Sequence, residues 1–102
     1  MNPIIEEKRP EIEALCRKHH VERLDLVGSA ARDDFDAETS DLDFLVCFTA
    51  CTPSEHANRY LDLLADLQDL FARDVDLIEQ RAIRHKEIGE IFESEKIPVY
   101  AA

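Results

Sequence analysis

The sequence predicts an α/β (α+β) fold: a small mixed sheet of three to four strands packed with helices. Three observations carry this. Two long segments place apolar residues at helical spacing. Leu42 to Phe48 and Val75 to Glu79 are short runs with the apolar, β-branched character of strands. Helical and strand segments alternate along 102 residues, a length that suits one domain over 1–102. The predicted order is helix, strand, loop, strand, helix, strand, helix, short tail.

Ile5, Ile12, Leu15 and Cys16 share one helical face, so residues near 3–18 read as a helix. Asn2 suits its cap and Pro3 its first turn. Pro10 would cost roughly 3 kcal/mol in a helix interior, which predicts a kink or a second start there. Arg23 to Val27 reads as a strand that Gly28-Ser29 ends. Residues 30–40 are acidic and aperiodic, a loop with at most one helical turn. Thr52-Pro53-Ser54-Glu55 is a capping box with proline at the first helical position, and opens a helix near 53–72. Leu61, Leu64, Leu67, Leu70 and Phe71 form its apolar stripe, read as core. Ile83, Ile88, Ile91 and Phe92 mark a last helix over roughly 82–95. Pro98 ends it, and Val99-Tyr100 suits an edge strand.

Acids outnumber bases 23 to 12, a formal charge of −11. Such a surface disfavours direct binding of nucleic acid or anionic membranes and favours basic partners or bound cations. Hydrophobic residues are 45% of the chain, enough for a core and too many for disorder. Three cysteines, Cys16, Cys47 and Cys51, are odd in number and form no CxxC pair, so they read as reduced thiols of a cytoplasmic protein. The first residues lack the blocks of a signal peptide, and no apolar run approaches a membrane span.

The chemistry concentrates in Ser40-Asp41-Leu42-Asp43. Side chains alternate along a strand, so Asp41 and Asp43 point to one face. The next strand carries Asp74-Val75-Asp76 and can add a carboxylate to that face. One carboxylate pair at 4 Å costs on the order of 4 kcal/mol at an intermediate dielectric, so such a cluster calls for cations. Oxygen ligands of this kind select Mg²⁺ or Mn²⁺, and two such ions could clamp a phosphoryl displacement. A lone Asp-x-Asp is common, and acids at a strand end are usually just solvated. Here they lead into the apolar run Phe44 to Phe48, at the mouth of a buried strand. Gly28-Ser29 directly follows a strand, where glycine permits close approach of a ligand and the following amides can cradle phosphate. Arg32 can neutralise the same phosphates. Asp74 and Asp76 compete for the third carboxylate, and Asp76 lies deeper in the apolar strand.

Leu26-Val27-Gly28-Ser29-Ala30-Ala31-Arg32, together with Ser40-Asp41-Leu42-Asp43-Phe44-Leu45-Val46, resembles the minimal nucleotidyltransferases (MNT) of the polymerase-beta superfamily. Val75-Asp76-Leu77-Ile78 resembles the family's later strand, and Ile97-Pro98-Val99-Tyr100 its chain end. The resemblance implies the nucleotidyltransferase fold, with ATP as substrate and two Mg²⁺ ions. It implies that Asp41, Asp43 and Asp76 are the catalytic and metal-binding carboxylates. It places Gly28, Ser29, Arg32 and Ser40 on the nucleotide. Asp33 stands where the family often has glycine, Val27 replaces a frequent phenylalanine, and the stretch between Ser29 and Asp41 is one residue longer than usual.

The activity implied is transfer of AMP from ATP to a hydroxyl on a protein. In the toxin–antitoxin pairs of this family the acceptor is a tyrosine of a HEPN-domain ribonuclease toxin, and the chain reads as the antitoxin half. The alternative is an antitoxin that neutralises its toxin by stoichiometric binding. Transfer to a small molecule ranks last, because no substrate-binding domain is present. No direct nucleic-acid or membrane partner is expected, and homo-oligomerisation stays open. His19-His20 reads as a helix C-terminus, His56 as a surface residue, and His85 with Arg81, Arg84 and Lys86 as the most basic patch. Asp33, Asp34, Asp36 and Glu38 read as solvated loop acids able to mask a basic partner surface.

Overall fold

A computed structural model describes residues 2–32, 36 and 40–102. Helix α1 (Pro3–Lys18) begins at Asn2, whose Oδ1 accepts the Ile4 N–H at 2.9 Å. Of the two expectations for Pro10, the second start is not seen: α1 runs through Pro10 as one helix. Pro10 is exposed, so the Glu6 carbonyl left without an N–H faces water, while Ile5 and Ile12 on either side are fully buried and hold the helix down.

Strand β1 (Val21–Val27) leads into a short 3₁₀ turn (Gly28–Ala30). Strand β2 (Leu42–Phe48) follows, then α2 (Pro53–Phe71) and β3 (Val75–Glu79). After a second 3₁₀ turn (Gln80–Ala82) come α3 (Lys86–Glu95) and β4 (Ile97–Ala101). The capping box is formed: Thr52 Oγ accepts the Glu55 N–H at 3.3 Å and donates to the Glu55 carboxylate at 2.9 Å. The last helix starts later than its spacing suggests, because Ile83 belongs to the connection before it. Asp33, Asp34 and Glu38 lie outside the described residues.

The sheet order is β3-β2-β1-β4. β1 runs antiparallel to β2 and β4, and β2 runs parallel to β3. The β2–α2–β3 crossover is what a parallel pair requires. On one face, Leu24, Leu26, Phe44, Val46, Phe48, Val75 and Leu77 meet α1 and α2 in a single core. Phe44 stacks on Phe71 of α2 with ring centroids 6.1 Å apart. The Tyr60 hydroxyl of α2 donates to the Leu77 carbonyl of β3. His19, buried at the end of α1, meets the Asp66 carboxylate of α2 at 2.7 Å.

One sequence reading is corrected here and one refined. Leu61 is 61% exposed and stands outside the core, which α2 builds from Leu63, Leu67 and Phe71. His56 is half-buried: its Nε2 lies 2.8 Å from Glu79 and its ring meets Phe48 edge-on. The leucine correction has a direct test by urea denaturation. Leu67→Ala should cost about 3 kcal/mol, and Leu61→Ala less than about 0.5 kcal/mol.

Alternation puts Val27, Asp43, Leu45, Asp76 and Ile78 on the opposite face of the sheet. Cys16 and Cys47 are buried and Cys51 half-buried, all as free thiols. Among the described residues no helix is long and apolar enough to cross a membrane.

Candidate functional site

The site forms where β1 ends beside the start of β2. Val27 is extended, and Gly28 then turns with φ +71°, in the left-handed region. The Gly28 carbonyl accepts the N–H groups of Ala31 and Arg32 at 3.0 and 3.2 Å, which closes the turn. Register sets what lies beneath it. Val27 pairs with Asp43 across β1 and β2, and Asp43 pairs with Asp76 across β2 and β3. A Cβ placed on Gly28 would fall on Asp43 Oδ2 and come within 3.1 Å of its Cγ. Glycine is therefore required here for both backbone conformation and space.

The register also separates the two competing acids. Asp76, not Asp74, sits opposite Asp43, and the Asp74 carbonyl instead accepts the Leu42 N–H at 3.2 Å. Asp43 and Asp76 lie side by side on adjacent parallel strands. Burial, the charge of Asp76 and the charge of nearby Asp41 push the Asp43 carboxyl up from 3.8 to about 6, while Arg32 pulls it down. Asp41 itself is exposed, just ahead of β2.

Among the described residues no three His, Cys, Asp or Glu side chains are gathered closely enough to hold a metal ion. The structure thus joins Asp43 to Asp76 and leaves Asp41 close by without closing a triad. The donor set nonetheless suits a hard divalent cation, since all its oxygens are carboxylate and their mutual repulsion calls for positive charge.

Around the glycine turn, the structure brings Gly28 and Arg32 together through a residue that sequence reasoning missed. Glu95, the last residue of α3, accepts the Gly28 N–H on Oε1 and an Arg32 N–H on Oε2, both at 2.9 Å. Its side chain is 14% exposed. One signal could have found it: an acid in the last turn of a helix opposes the helix dipole and needs a compensating partner. Ser29 is half-buried within the turn. Ser40 serves the loop: its Oγ accepts the Asp36 N–H at 2.9 Å, and its carbonyl accepts from Arg73 at 3.3 Å. A cleft of about 250 Å³ opens between α3 and the sheet, lined by Leu45, Ile83, Arg84, His85, Lys86 and Phe92 among others, and none of the three aspartates lines it.

Comparison with known proteins agrees with this arrangement. A family model described as a nucleotidyltransferase domain matches residues 11–99. A solved structure described as a minimal nucleotidyltransferase is 32% identical, with a TM-score of 0.68 over 91% of this chain and 90% of that one. A toxin–antitoxin structure with AMP-PNP shares the fold at 18% identity and a TM-score of 0.69, over 92% of this chain and 73% of that one. So does an MNT antitoxin in complex with a tri-AMPylated HEPN toxin from Shewanella oneidensis, at 16% identity and a TM-score of 0.67, over 96% and 73% of the two chains. A comparison with curated proteins finds no match. A glycine turn closed onto an Asp-x-Asp strand, in a four-stranded mixed sheet whose family model spans nearly the whole chain, shows that this protein belongs to the nucleotidyltransferase-domain family, in its minimal form.

Proposed function

We propose that residues 1–102 act as one minimal nucleotidyltransferase domain that moves AMP from ATP to a tyrosine hydroxyl of a HEPN-domain toxin, as a cytoplasmic antitoxin. The observation that carries this reading is the Gly28 turn seated on Asp43, with Asp76 in register beside it. It is supported by fold neighbours that include a toxin–antitoxin structure with AMP-PNP and an MNT antitoxin with an AMPylated HEPN toxin.

In this proposal the amides of Gly28 and Ser29, the guanidinium of Arg32 and the hydroxyl of Ser40 hold the triphosphate. Asp41, Asp43 and Asp76 would hold two Mg²⁺ ions, which supply neutralising charge at the phosphates. Asp76 takes the proton of the acceptor hydroxyl. The hydroxyl oxygen then bonds to the α-phosphorus as the bond to pyrophosphate breaks, and Arg32 stabilises charge on the departing group.

The test is the intact mass of a HEPN-domain partner after incubation with this protein, ATP and Mg²⁺. One or more AMP units should appear, and none with Asp43→Asn. An unchanged mass in a stable complex would overturn transfer in favour of stoichiometric neutralisation. One observation favours that second reading: Ile88 and Ile91 on α3 are 45% and 56% exposed, and present apolar surface to a partner.

A further inference from the structure

We propose that Glu95 is the resident anion of the phosphate cradle: it occupies the Gly28 amide and the Arg32 guanidinium until a nucleotide phosphate replaces it. The inference rests on the assignment of Gly28 and Arg32 to the triphosphate. It adds a residue that sets nucleotide affinity from the far end of the chain.

The geometry is that of an anion already bound. Gly28 stands in the left-handed conformation at the head of a 3₁₀ turn, an arrangement whose N–H groups point at negative charge. The guanidinium fork fits carboxylate and phosphate alike. Glu95 divides its two oxygens between these donors, one to each at 2.9 Å, as two phosphate oxygens would. The contact spans 67 residues of sequence, so no local turn imposes it. It also overrides local preference, because the C-terminal end of α3 is where an acid is disfavoured by the helix dipole.

Two consequences follow. Glu95 keeps the turn formed before the nucleotide arrives, since it holds the Gly28 N–H and an Arg32 N–H in place. It also competes with the nucleotide, because a triphosphate entering the cradle meets a carboxylate on the same donors. Removing its charge must then tighten binding of phosphate. A residue that only supported the turn would have the opposite effect on removal.

The experiment is calorimetric titration of the full chain with inorganic tripolyphosphate, and separately with ATP and Mg²⁺, for wild type, Glu95→Gln and Glu95→Ala. Both variants should bind tripolyphosphate about tenfold more tightly than wild type. Equal or weaker binding by a variant that melts cooperatively would overturn the proposal, as would absence of tripolyphosphate binding in all three proteins. A second measurement needs no variant. The side-chain carboxyl carbon resonance of Glu95 in the wild type should move to the value of a solvated glutamate at saturation with tripolyphosphate. A resonance that stays in place while the ligand binds would overturn the proposal. Because the probe is tripolyphosphate, failure to find a protein acceptor leaves this result standing, and AMP transfer without tighter binding in the variants removes only the role of Glu95.

Discussion

Asp43→Asn should make the protein more stable and abolish its transferase activity. Asp43 sits between Val27 and Asp76 at the mouth of β2, with Asp41 nearby. Folding draws its carboxyl partly out of water and sets it against Asp76, and its pKa rises to about 6 from an ordinary 3.8. The sign of the linkage follows. The folded chain binds this proton more tightly than the unfolded chain does. The stabilisation is therefore fully present below about pH 3.8 and is lost as pH rises through about 6. At neutral pH the wild type carries the repulsion unrelieved.

An asparagine amide removes the charge and can donate to Asp76. The site is open enough to water for screening to cut the full linkage value, so the expected gain is about 1 kcal/mol at pH 7, roughly 5 °C in melting temperature for a domain of this size. Thermal denaturation between pH 4 and 8 should show the difference growing through pH 4 to 6 and levelling above. Transfer should fall by about a hundredfold or more, because the strand loses a ligand for positive charge at the reacting phosphate. Mg²⁺ with ATP should raise the melting temperature of the wild type and much less that of Asp43→Asn. A destabilised variant would show that Asp43 supports the fold, and would overturn the view that this carboxylate is kept for function at a cost in stability.

The same tension explains which parts of the molecule were legible in the sequence. β2 and β3 match their predicted spans because apolar and β-branched residues at those positions agree with burial on the sheet. The caps at Asn2 and Thr52 were legible because their chemistry is local. Leu61 was misplaced because leucines at 61, 64, 67 and 70 follow a spacing of three, whereas the buried line on α2 runs through Leu63, Leu67 and Phe71 at a spacing of four. Which leucine faces the sheet depends on the angle of the helix, and that is a tertiary property. Pro10 failed as a break because buried residues on both sides outweigh one missing hydrogen bond. In the site, Gly28, Arg32 and Asp43 carried readable signals. Asp76 needed the parallel register of β2 and β3 to be separated from Asp74. Glu95 needed the whole chain, since its partners lie at the other end of the sequence.

Gly28→Ala should be the most damaging single-methyl change in the site. Two independent terms act on one position. The backbone stands at φ +71°, where a residue with a Cβ costs on the order of 1 kcal/mol more than glycine. The methyl would also land on Asp43 Oδ2 and come tightly against the Asp43 Cγ and Cβ, 3.1 and 3.2 Å away. Asp43 cannot yield easily, because its backbone is paired on both sides by β1 and β3. The turn must therefore shift, and with it the N–H that meets Glu95 and the carbonyl that accepts from Ala31 and Arg32. The expected loss is about 2–3 kcal/mol in urea denaturation, since strain and overpacking add. Under the proposed function nucleotide binding should fall by about a hundredfold or more, because the N–H groups assigned to the triphosphate move off their positions. A double variant separates the terms: measured against Asp43→Ala alone, Gly28→Ala with Asp43→Ala loses the Oδ2 and Cγ contacts and leaves the backbone strain and a 3.2 Å approach to the Cβ of residue 43. About half of the lost stability should return in it. Recovery of nothing would place the whole cost in the backbone and show that Asp43 does not pack against the turn.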